Sequence, residues 1–107
     1  GPERLTGPRK GKADDLKEIE GIGPALEKLV NGMGFFHFDQ IAAWTAEQIA
    51  WVDDHLKFNG RIGREEWVKQ AGLLAEGRNA EFERLYGTGG LKDDSGETRS
   101  GSRTRKT

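Results

Sequence analysis

The sequence predicts an all-α protein, a compact five-helix domain with a short extra helix and disordered termini, and three observations carry that prediction. Apolar residues recur at helical spacing, first at Leu16, Ile19 and Ile22 and then at Leu26, Leu29 and Val30. A glycine turn, Gly21-Ile22-Gly23, followed by Pro24, separates the two groups. Thr45-Ala46-Glu47-Gln48 reads as a capping box, in which the threonine hydroxyl accepts from the Gln48 amide and the Gln48 side chain reaches back to the Thr45 amide.

Taken in order, residues 1–12 hold proline, glycine and basic residues with almost nothing apolar, and read as a flexible basic leader. Asp14 is placed to cap a first helix running to Ile19. The turn Glu20-Gly21-Ile22-Gly23 needs glycine's backbone freedom, and Pro24 suits the first position of the second helix, where a missing N–H is no loss. That helix is expected to end near Asn31 or Gly32. Phe36 and Phe38 are expected in the core, and a short third helix spans Phe38 to Trp44. The fourth helix starts at the Thr45 box, buries Ile49, Val52 and Leu56, and turns Asp53, Asp54 and His55 mostly to water. A second turn, Phe58-Asn59-Gly60, precedes a fifth helix from Arg64, with Gly63 as its N-cap and a stripe of Trp67, Ala71 and Leu74. The helical domain thus covers residues 13–77. Residues 78–87 follow as a short amphipathic helix with Phe82, Leu85 and Tyr86 on one side. It is too short to persist alone in water, so it either docks on the domain or waits for a partner. Residues 88–107 read as a disordered basic tail.

Composition narrows the function. The 107 residues contain no cysteine, which excludes disulfides, thiolate zinc sites and cysteine-ligated iron–sulfur clusters in this chain. No apolar run approaches the roughly 18 residues needed to cross a bilayer, so a soluble, intracellular setting is expected. The net charge of −1 hides a segregation: residues 14–78 carry twelve acids and seven bases, whereas the leader and the tail are basic. Arg99, Arg103, Arg105 and Lys106 crowd into the end of the tail. His37 and His55 each stand alone, no serine sits in a nucleophile context, and no nucleotide-binding fingerprint is present, so no catalytic residue, cofactor site or metal site is assigned and the domain reads as a non-enzyme.

The pattern Leu16, Ile19, Gly21, Ile22, Gly23 resembles the helix-hairpin-helix motif. Nucleic-acid-binding members of that family hold a phosphate oxygen on the backbone amides after the second glycine, with a Lys or Arg nearby. Two features here depart from that version. Pro24 has no N–H to give, and Asp14, Asp15, Glu20 and Glu27 surround the place where phosphate would sit, against Lys17 and Lys28. The hairpin therefore reads as structural. Residues 44–74 form a second helix-turn-helix unit, and the pair is similar to the sterile-alpha-motif-like class. Trp44 and Trp67 read as core, while Trp51 flanks the buried stripe and is a candidate contact residue.

Residues 13–77 also look like the C-terminal helical extension of the E-type subunit of some bacterial NADH-quinone oxidoreductases (complex I). Similar extensions occur on other proteins, including some ribosomal proteins. The continuation FERLYGTGGLKDDSGETRSGSRTRK, residues 82–106, resembles the end of such E-type chains and tips the choice toward complex I of the respiratory chain. In that family a separate, thioredoxin-like domain carries a 2Fe–2S cluster on four cysteines, and none of those ligands is here. The resemblance implies an accessory protein–protein interaction domain of the peripheral arm, beside the NADH-binding flavin subunit, at the cytoplasmic side of the inner membrane, supporting assembly or stability. Its expected interface is Trp51, Phe82, Leu85, Tyr86, Arg99, Arg103, Arg105 and Lys106. The alternative is a nucleic-acid-binding module using the hairpin amides at Gly21–Pro24 and the basic tails.

Overall fold

The computed structural model describes residues 3–87, together with the backbone of Leu91–Lys92 and Thr98–Arg99. Two 3-10 turns, Arg9–Gly11 and Leu16–Glu18, precede α1 (Pro24–Gly32), α2 (Phe38–Ala42), α3 (Ala46–Leu56), α4 (Arg61–Arg64), α5 (Trp67–Ala75) and α6 (Asn79–Tyr86). The all-α class is as the sequence predicts. Leu91 faces Arg99 and Lys92 faces Thr98 in a two-residue antiparallel ladder. The rest of the tail expected over residues 88–107 lies outside the described residues.

The first arm of the hairpin is only a single 3-10 turn, where a helix from Asp14 to Ile19 was expected. Asp15, not Asp14, caps that turn, its carboxylate accepting from Lys17 N at 3.2 Å. Asp14 is drawn elsewhere: its N–H donates to Phe36 O at 3.0 Å, and its carboxylate accepts from Phe38 N at 2.8 Å, capping the start of α2. The second arm runs from Pro24 to Gly32 as expected. Its buried face is Leu26 and Val30, while Leu29, a quarter turn away from Val30, is 57% exposed.

After α1 the chain reverses at Gly34, whose φ of +99° returns Phe35 N to Val30 O at 3.2 Å. The reversal sends Phe35 into the core, edge-on to Trp44 at 5.1 Å, and leaves Phe36 and Phe38 only partly buried. Gly34 also lets the leader approach, because a Cβ there would meet Leu5 O at 2.8 Å. Leu5 N donates to Gly34 O, Arg9 N donates to His37 Nε2, and the Arg9 guanidinium meets both Asp39 oxygens at 3.0 Å. Residues 3–12 thus lie along the α1–α2 connection.

The capping box forms as read: Gln48 N donates to Thr45 Oγ1 at 3.2 Å and Thr45 N to Gln48 Oε1 at 2.9 Å. Two expectations downstream fail. Asp53 is buried, not facing water, because its carboxylate accepts from Gly60 N and from Ile62 N and so folds the α3–α4 turn. The single fifth helix is two helices: α4 begins at Arg61 with Gly63 inside it, and Glu66, at φ +58°, breaks the chain before α5. α5 packs against α2 and α6, and it buries Trp67, Gln70, Ala71 and Leu73. Leu16, Ile19, Ile22, Leu26, Val30, Ile41, Val52 and Ile62 complete the core.

Candidate functional site

The hairpin turn is clamped from the second half of the molecule. The Gln70 side chain, 1% exposed, accepts from Glu20 N at 2.7 Å and donates to Glu20 O at 3.1 Å and to Glu65 O at 2.8 Å. Arg61 donates to Gly21 O at 2.9 Å while its Nε holds the Glu65 carboxylate. Glu65 also accepts from the Trp67 indole N–H at 3.0 Å. Gly21, at φ +109°, has no room for a side chain, because the Glu65 carboxylate and the Trp67 indole occupy the place of its Cβ. The glycine of the turn is therefore explained by packing inside the protein.

Charge points the same way. Glu27, in the first turn of α1, accepts from Leu16 N at 3.0 Å, and Lys17 bridges Asp15 at 2.9 Å and Glu27 at 3.4 Å. Hydrogen bonding to Asp15, with Glu27 adding to it, raises the Lys17 ammonium above its ordinary range. Lys17 is thus held by carboxylates, and Pro24 occupies the first position of α1. The arrangement fastens two halves of the protein together; Lys17 and Arg61 are engaged in it, while Lys28 on α1 is exposed.

The other residues singled out from sequence divide. Phe82 is buried at 2% exposure, so α6 is docked on α5, and the Tyr86 hydroxyl donates to Glu66 Oε1 at 2.6 Å. Leu85 is 39% exposed. Trp51 is half-buried; its ring stacks on His55 at 5.3 Å, and the Arg4 guanidinium lies over it at 5.4 Å. The side chains of Arg99, Arg103, Arg105 and Lys106 lie outside the described residues. Among the described residues no group of three His, Cys, Asp or Glu side chains stands close enough to hold a metal ion. Sequence reasoning missed Gln70, Arg61 and Arg4, whose partners lie 40 or more residues away, and Glu65, whose bonds to Arg61 and Trp67 are local but whose place against Gly21 is not. Asp53 left a faint signal, an acid at the end of a helix just before a Phe-Asn-Gly turn.

A family model described as the RS2/RL21/YNQ2 HHH domain matches residues 16–75. The chain is 55% identical over 71 residues to large ribosomal subunit protein bL21 of Jannaschia sp. (strain CCS1), covering 66% of this chain and 28% of that protein. It is 46% identical over 74 residues to small ribosomal subunit protein uS2 of Methylobacterium sp. (strain 4-46), covering 69% of this chain and 21% of that protein. The chain therefore spans less than a third of the length of these curated relatives. No solved structure matches it.

These relatives correct the resemblance to complex I, and with it the respiratory-chain role, the flavin-subunit partner and the inner-membrane location. Within residues 13–77 the resemblance was carried by turn and core residues, which specify the fold and not the larger protein it is attached to, and the continuation over residues 82–106 that tipped the choice lies mostly outside the described residues. No described helix is long and apolar enough to cross a membrane. The relatives are named as ribosomal proteins, so the part of the expectation that tied this domain to an NADH-quinone oxidoreductase falls with the resemblance.

Proposed function

Because the chain belongs to the RS2/RL21/YNQ2 HHH domain family, we propose that it is a non-catalytic module that associates with the ribosome and contacts ribosomal RNA. The observation that supports this reading is that one domain is shared with a large-subunit protein and a small-subunit protein. What those two subunits have in common is RNA, so a module useful on both is one that meets RNA. The hairpin serves the fold in this reading, since its glycine, its carbonyls and Lys17 are engaged within the protein. The cations offered to RNA are Lys10 and Lys12 of the leader and Arg99, Arg103, Arg105 and Lys106 of the tail.

Co-sedimentation of the full chain with purified bacterial ribosomes, at low and at high salt, tests the proposal. Binding at low salt that weakens as salt rises is the expected result, because phosphate contacts release counterions. A chain that stays in the supernatant at low salt overturns it.

A further inference from the structure

We infer that Arg4, Trp51 and His55 form a stacking platform for an unpaired nucleobase. The inference rests on the ribosome-association reading and deepens it by naming where RNA bases are held.

Trp51 and His55 are one turn apart on α3, and their rings lie 5.3 Å apart and within 21° of parallel. Arg4 reaches the same ring from the leader, with its guanidinium carbon 5.4 Å from the centroid. Its approach is fixed by the Leu5 N to Gly34 O bond and by the missing side chain at Gly34. Two segments far apart in the chain thus bring a guanidinium and an imidazole against one indole at the surface.

The burial pattern sets this tryptophan apart. Trp44 and Trp67 are sealed in the core at 5% and 0% exposure, whereas Trp51 is half-buried and both groups stacked on it are exposed. Arg9, Arg61, Arg78 and Arg84 reach carboxylates, Arg64 reaches Asn59 O, and Arg61 also lies over the half-buried Phe58 ring, whereas Arg4 is exposed and lies over Trp51. A guanidinium and an imidazole present flat, π-bearing faces, and a base is the flat partner that extends such a stack.

The surroundings select the base over the phosphate. Glu47 and Asp54 on α3 lie one turn before and just short of one turn after Trp51, and they repel a phosphate backbone laid across the rings. On its other side Arg4 lines an open groove of about 510 Å³ with Thr6, Asn31 and Met33. Stacking of this kind needs an exposed base face, so single-stranded RNA fits and a duplex does not.

Tryptophan fluorescence titration of the full chain with a single-stranded oligoribonucleotide, and with the same sequence as a duplex, tests the platform. Because Trp44 and Trp67 are buried, a change of signal reports Trp51. Quenching by the single strand but not by the duplex is expected. His55→Ala and Arg4→Lys, both at exposed positions, are each expected to weaken single-strand binding by about tenfold with the tail intact. Arg4→Lys keeps the charge, so its loss separates stacking from attraction. Unchanged affinity in both variants overturns the platform. So does a parent chain that ignores the oligonucleotide, and ribosome co-sedimentation then decides the association reading separately. Variants that lower ribosome binding but leave oligonucleotide binding intact identify a protein contact instead, which also overturns it.

Discussion

At the scale of single residues, Gly21 carries two constraints at once. Its φ of +109° is costly for any residue with a Cβ, and the Glu65 carboxylate occupies the space that Cβ would need. Gly21→Ala is therefore expected to lower unfolding free energy by about 3 kcal/mol, the positive-φ cost and the displaced Glu65 together. Gly72 provides the contrast: it lies inside α5 with nothing within 4 Å of a built Cβ. Gly72→Ala is expected to stabilise by about 0.5–1 kcal/mol, through helix propensity alone. Urea titration of the two variants measures both signs. Asp53 is a third such residue. Removing its carboxylate strands the buried Ile62 amide and the Gly60 amide, so Asp53→Ala is expected to cost about 2 kcal/mol. Equal stability of Asp53→Ala and the parent would refute the view that this acid folds the α3–α4 turn.

Among the elements, those with local signals were legible and those set by distant partners were not. The start of α3 could be placed from Thr45 and Gln48 because both bonds of the box lie within four residues. The start of α1 could be placed from Gly23 and Pro24 for the same reason. The break at Glu66 could not, since this exposed non-glycine residue at φ +58° sits between the buried Ile62 of α4 and Trp67 of α5 and leaves no mark in composition. The docking of α6 was half legible: its apolar side was visible, and its length required a partner, but the choice of α5 was not. That docking has a titratable latch in Tyr86. Burial first, and the Glu66 hydrogen bond second, raise the Tyr86 hydroxyl well above its ordinary value of 10.0. A raised value in the folded state means that the latch contributes fully below about pH 10 and is lost as pH rises past that, when the unfolded chain ionises and the folded one resists. Melting temperatures are therefore expected to fall through the alkaline range. Tyr86→Phe removes this tyrosine's share of that fall, leaving whatever Lys17 adds, and an identical pH profile in the variant would show that the hydroxyl takes no part.

Across the whole molecule, two patterns are readable in the residue order itself: an acidic helical body and basic ends. The body is joined across its middle by Gln70, Arg61 and Glu65, so the hairpin that resembles a nucleic-acid motif is committed to holding the halves together. On the proposed RNA-binding reading, that commitment leaves the contact to the ends and the Arg4–Trp51–His55 platform and divides it into two kinds. On that reading the cations of the tail act through counterion release, which depends on salt, whereas a base stacked on the platform excludes water from a flat face and depends on salt only weakly. The two contributions can be separated in one chain. If Arg99, Arg103, Arg105 and Lys106 each meet a phosphate, replacing all four with serine is expected to flatten the slope of log affinity against log salt by about 3 units, at roughly 0.7 per cation on single-stranded RNA. The same variant keeps Trp51, so its fluorescence quenching by saturating oligonucleotide should persist. A slope that does not change after the replacement would remove the tail from the interface, and the leader cations Lys10 and Lys12 would then have to account for the attraction alone.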